Sequence, residues 1–128
     1  MILSKGIDGF TQKFEFVDSI VTSVKWDSNF LDLLIEVDYY WDKHVGREES
    51  RALTIRFKTC REAKFTMTKC YDMVSKDELK KYIYSWYTIT QSSAKENNGL
   101  ISISIKTVDD HPCWLTLLCE EIWIEGDE

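Results

Sequence analysis

Hydrophobic and polar positions alternate along most of this chain with the two-residue period of a β-strand, whose successive side chains point to opposite faces. The longest such run is Phe30 to Trp41, FLDLLIEVDYYW. Leu31, Leu33, Ile35, Val37, Tyr39 and Trp41 share one parity and are all apolar; Asp32, Leu34, Glu36, Asp38 and Tyr40 share the other. One face therefore suits a core, and the other carries three carboxylates. A weaker alternation at Phe14 and Phe16 predicts a first short strand. Ser19 to Trp26 predicts a second, with Ile20, Val24 and Trp26 on one face. The turn formers Asp27, Ser28 and Asn29 should join it to the long strand as a hairpin. Residues 42–50, DKHVGREES, read as a polar loop.

Further on, Leu53, Ile55 and Phe57 alternate with Thr54, Arg56 and Lys58, and after a break near Cys60, Ala63, Phe65 and Met67 alternate with Lys64, Thr66 and Thr68. The short break predicts a second antiparallel hairpin, because a parallel connection needs a dozen or more residues. Ser75-Lys76-Asp77-Glu78 matches a capping box, and Leu79 and Ile83 lie four apart, so a short helix should start after Ser75 and end near Tyr84. The alternative is one long helix over 76–92. Asn97-Asn98-Gly99 is a hairpin signal that should join a strand near Trp86 to Ser92 with Leu100 to Lys106, where Ile101, Ile103 and Ile105 point inward. In the last run Leu115, Leu117 and Cys119 share one parity and Ile122 and Ile124 the other, so a bulge at Glu120 or Glu121 is needed to bury both sets. The fold class that follows is mainly β. It is an antiparallel β-sandwich or strongly curled sheet of about seven strands, with one short α-helix.

Composition narrows the picture. A length of 128 residues suits a single domain over 1–128. With 13% aromatic residues and one proline, no stretch reads as linker or low complexity. Sixteen basic against twenty-two acidic residues give a net charge of −6. That balance argues against a nucleic-acid partner, whose phosphates require a basic face. The start, MILSKGIDGF, lacks the pattern of a signal peptide, and no window reaches a membrane helix, so neither secretion nor a membrane partner is expected. The expected compartment is the cytosol, where Cys60, Cys70, Cys113 and Cys119 stay free thiols.

Candidate chemistry is sparse. Cys60 and Cys70 lie ten apart, Cys113 and Cys119 six apart, and no Cys-x-x-Cys exists, which speaks against zinc. No metal or other cofactor is expected. A hydrolase would have to assemble Asp109, Asp110 and His111 with a further acid in a pocket, although the same residue types build surface turns. Aromatics cluster at Tyr39-Tyr40-Trp41 and at YIYSWY over 82–87. If exposed together in a groove they would suit a carbohydrate-binding β-sandwich.

The remaining feature is the outward face of the long strand: Asp32, Leu34, Glu36, Asp38, Tyr40 and Asp42. It can serve as a partner-binding surface for a protein with a basic surface, with Leu34 and Tyr40 as apolar anchors. Its rival is a salt lattice with Arg56 and Lys58 on a neighbouring strand. The order of FEFVDSIV, a Trp-Asp turn, LDLLIEVDYYW, LTIRFKTC and WLTLLCEEIWIE resembles small bacterial all-β proteins of the polymorphic-toxin immunity type. That resemblance implies a bacterial cytosolic protein that binds another protein and has no activity of its own. Together with the acidic charge, the first reading is a non-catalytic protein-binding module, an immunity protein that neutralises a basic toxin.

Overall fold

The computed structural model describes residues 1–44, 46, 48–66, 87–107 and 112–126. Among these are nine strands: β1 (Ile2–Lys5), β2 (Ile20–Trp26), β3 (Leu33–Tyr39), β4 (Arg51–Lys58), β5 (Glu62–Phe65), β6 (Gln91–Asn97), β7 (Leu100–Lys106), β8 (Leu115–Cys119) and β9 (Glu121–Gly126). A π-helical turn spans Gly9–Lys13, and a single α-helical turn, α1, spans Trp41–His44. The strands form two antiparallel sheets, ordered β1-β9-β4-β3-β2 and β5-β8-β7-β6. The chain is thus mainly β, as its alternation predicts, and the sheets do not close into a barrel. The helix expected after Ser75 lies outside the described residues.

The two sheets share a bent ribbon. Lys58 on β4 stands opposite Glu121 on β9, and Glu62 on β5 stands opposite Leu118 on β8. Between these pairs the Glu120 amide donates to the Lys58 carbonyl at 2.9 Å and the Arg61 amide donates to the Leu118 carbonyl at 2.7 Å. Two strands therefore cross together from one sheet to the other, turning at Thr59, whose φ is +49°. Corners of this kind are how packed sheets exchange strands. They also correct the second hairpin expected from the sequence. β4 and β5 do not pair with each other, because the chain at Thr59 to Arg61 bends without reversing.

The bend does what the parity switch in the last strand required. Leu115, Leu117, Cys119, Ile122 and Ile124 are all buried, with Glu120 as the break. β6 and β7 meet at Asn98-Gly99, whose φ values of +54° and +80° make the two-residue primed turn that matches strand twist. That hairpin begins at Gln91, five residues later than the sequence suggested, and Ile101, Ile103 and Ile105 point inward.

The core lies between the sheets. Ile35, Val37, Ile55, Phe57, Ile103, Leu115 and Ile124 are buried in one cluster with Phe10 and Phe16. Phe14 and Phe16 form no strand. They stack 6.1 Å apart and close one side of the core with Phe10 and Tyr39. Edge strand β1, not foreseen in the sequence, pairs with β9. In β2 a bulge between Val21 and Ser23 changes the parity. Ile20 consequently lies opposite Asp38 on the outer face, while Val21, Val24 and Trp26 share the inner face with Val37, Ile35 and Leu33.

Candidate binding surface

The β2–β3 hairpin presents the feature that most sets this surface apart. Its turn is longer than Asp27-Ser28-Asn29. The Asn29 side-chain oxygen accepts the amides of Leu31 at 2.9 Å and Asp32 at 3.2 Å. The Phe30 amide donates to the Asp27 carbonyl, and the Asp27 amide donates to the Asp32 carbonyl, each at 2.9 Å. Such side-chain turns are the usual work of asparagine. They hold Phe30 at φ +60° and delay the strand to Leu33. Phe30 is therefore 80% exposed and Leu31 52% exposed. This corrects the expectation that Leu31 faces the core. At the other end Trp41 has left the strand for α1 and is also exposed.

The carboxylates of the long strand are placed differently from a solvent-facing stripe. Asp32, Leu34 and Asp42 are buried. The Asp32 carboxylate accepts the Thr59 amide at 3.0 Å and lies 3.1 Å from the Arg56 guanidinium and 3.6 Å from the Lys58 ammonium. Asp42 meets the Arg51 guanidinium at 2.8 Å. Glu36 keeps a long contact of 4.0 Å to Lys25, Glu36 and Asp38 are both half-buried, and Tyr40 is exposed. The face is thus divided. Asp32 and Asp42 are tied into ion pairs, and Glu36, Asp38 and Tyr40 reach solvent.

Arg56 organises the outer face of the five-stranded sheet. Its position opposite Leu34 on one side and Trp123 on the other centres it in the sheet. Its guanidinium binds Asp32, Asp27 at 2.5 Å and Glu125. Burial by itself would raise the Asp32 carboxyl, but the Thr59 amide, Arg56 and Lys58 outweigh it and hold that carboxyl below the usual range. The hydrogen bond from Arg56 lowers Asp27 in the same direction. Next to this cluster the Trp123 ring lies 4.5 Å from the Lys5 ammonium and 4.3 Å from that of Lys58, cation–π contacts that cover the indole. Sequence reasoning named Arg56 and Lys58 as partners for the acidic strand. It missed Asp27 and Glu125, one a turn residue and the other 69 positions from Arg56, because only the sheet order brings them together.

Beside these polar groups an apolar strip is also uncovered. Val24 is 39% exposed and Trp26 44% exposed, although both sit on the inner face of β2. With Phe30 and Leu31 they form an apolar margin at the edge of an otherwise charged sheet. Elsewhere a cleft of about 360 Å³ opens beside β6 and β7, with Ser92, Ser93, Ser104 and Lys106 in its wall and Glu15 as the one carboxylate among the described lining residues. Asp109, Asp110 and His111 lie outside the described residues, as do residues 82–86 of the second aromatic cluster. Among the described residues, no helix is long and apolar enough to cross a membrane.

No protein-family model and no curated protein sequence matches the chain. Its fold is shared. A crystal structure of an uncharacterized protein from Neisseria gonorrhoeae superposes with a TM-score of 0.55 at 14% identity, covering 88% of this chain and 95% of that one. At that identity the likeness is one of architecture.

Proposed function

We propose that this chain is a non-catalytic protein-binding module whose contact surface is the apolar margin of Val24, Trp26, Phe30 and Leu31. The observation that carries this reading is the 80% exposure of Phe30, held out by a hydrogen-bonded turn beside three further exposed apolar side chains. Contiguous exposed apolar side chains mark interaction sites, and large aromatics supply most of the anchoring energy at such sites. The net charge of −6 and the solvated Glu36 and Asp38 favour a basic partner, whose approach they would speed. An immunity protein that neutralises a basic toxin in the cytosol is the biological form of this reading, supported by the strand-order resemblance.

The test is a partner recovered with the native protein and then purified for direct titration. Phe30→Ser and Trp26→Ser should each weaken the binary complex at least about tenfold, mainly through faster dissociation. Glu36→Gln with Asp38→Asn should slow association and flatten its salt dependence. A purified partner that binds both apolar variants as tightly as the wild type would overturn the proposal.

A further inference from the structure

We infer that the open edge of β2 pairs with a second copy of this chain, added antiparallel so that the two five-stranded sheets become one across a two-fold axis. This rests on reading the β2 margin as a contact surface: the second copy takes the strand edge from Ser23 to Trp26, and Phe30 and Leu31 in the hairpin turn are left to the basic partner.

Sheet edges offer unpaired backbone groups, and proteins normally blunt them with charge, brevity or cover. β6 carries Lys95 on its outer side and, opposite the inward Ile101, the charge of Glu96 on its core side. β5 is four residues long, and its one large exposed apolar side chain, Phe65, packs on Trp114 at 5.6 Å. β1 is likewise four residues long. The first part of β2 is covered, since the Val21 amide donates to the Tyr87 carbonyl at 2.9 Å and Ile20 bridges Thr88. From Ser23 to Trp26 the strand is regular against β3, and no strand among the described residues pairs with its other edge. Its core-side positions are Val24 and Trp26, both exposed. Here the edge has no inward charge to refuse a strand.

The charges select a second copy and its register. An antiparallel strand pairing with itself must place one residue on the axis. An axis at Lys25 would oppose two ammonium groups, and one at Ser23 would run the new strand into the covered Val21. The axis at Val24 sets Lys25 of each copy beside Ser23 of the other. Ser23 is in turn the β3 neighbour of Glu36. Strands lie about 4.8 Å apart, so Lys25 of one copy and Glu36 of the other would be about 10 Å apart at Cα across a small serine, within reach of both side chains. Glu36 already approaches its own Lys25 at 4.0 Å and has spare acceptor capacity at 42% side-chain exposure. On the inner side Val24 meets its symmetry mate, flanked by both Trp26 rings. Isologous pairing closes after two copies and uses up the edge.

Light scattering across a wide concentration series should show a particle of twice the 15.1 kDa monomer mass. Hydrogen exchange of amides 22–26 should slow as the dimer fills. Val24→Lys, which puts a charge on the core side of an already exposed edge, should give a folded monomer. Lys25→Glu alone and Glu36→Lys alone should each be monomeric, and mixing the two variant chains should restore a dimer, because only the contacts between copies regain opposite charges. A wild-type chain that stays monomeric with fast exchange at 22–26, or a dimer that persists in Val24→Lys, overturns the inference. A monomeric chain whose purified partner is still lost in Phe30→Ser overturns the second copy alone and leaves the protein-binding reading standing.

Discussion

Arg56→Met tests the charge cluster where the structure makes it most exposed to failure. The change keeps an unbranched side chain in the middle of the sheet and withdraws the one guanidinium shared by Asp27, Asp32 and Glu125. Removing one partner of a fully buried ion pair costs about 3–5 kcal/mol, because the remaining charge is stranded away from water. Here the cost should be lower. The Asp27 side chain is 34% exposed and that of Glu125 25% exposed, so both can be rehydrated, whereas Asp32 at 3% cannot. Lys58 at 3.6 Å continues to face Asp32. The expected loss is about 2–3 kcal/mol, which for a chain of this size lowers the melting temperature by roughly 7–11 °C. Arg56→Lys, which keeps the charge but cannot fork to three carboxylates, should lose about 1 kcal/mol.

Acidification gives the sign. Asp27 and Asp32 titrate below their unfolded value in the folded protein, so their contribution is present above about pH 4 and is lost as pH falls through the folded pKa. Wild-type stability should therefore drop as pH is lowered from about 4. The Arg56→Met chain should drop less, because its carboxylates have no guanidinium to lose. Urea denaturation at a series of pH values measures both curves. A cost below about 0.5 kcal/mol at neutral pH, the range of an ordinary surface change, would refute the reasoning. So would a cost that stays constant on acidification.

Two further expectations concern packing. A Cβ at Gly9 would lie 2.2 Å from the Ser4 Oγ and 2.8 Å from its Cβ, and Ser4 is buried, so Gly9→Ala should cost about 1–3 kcal/mol by urea denaturation. A Gly9→Ala protein as stable as the wild type would show that β1 is not held where the structure puts it. Burial, with the Cys60 thiol nearby adding to it, pushes the Cys119 thiol up to about 12. Thiol-specific labelling of native protein near pH 8 should thus modify partly buried Cys113 first, then Cys60, whose thiol is also raised by burial, and both before Cys119, which should react only on unfolding. Early labelling of Cys119, mapped by peptide mass, would contradict its place in the core.

The alternation of the sequence determined a great deal on its own. It sufficed for the mainly β class, the β2–β3 and β6–β7 hairpins, the inward isoleucines of β7 and the break at Glu120, because a period of two and turn chemistry act over a few residues. It also named Arg56 and Lys58 as bases within reach of the acidic strand. Parity, however, says which residues share a face and not whether anything lies over that face. Leu34 lies on the outer side of β3 and Asp32 just ahead of that strand on the same side, as parity predicts, and both are nevertheless buried; Arg56, Lys58 and the Thr59 amide close on Asp32. Val24 and Trp26 are on the inner side and are nevertheless exposed. The pairing of β4 with β9 and of β5 with β8, and the meeting of Asp27, Asp32 and Glu125 on one guanidinium, depend on contacts between residues far apart in the chain. Only the tertiary structure decides these, because the bend at Thr59 and the order of the sheets are set by the packing of the whole core.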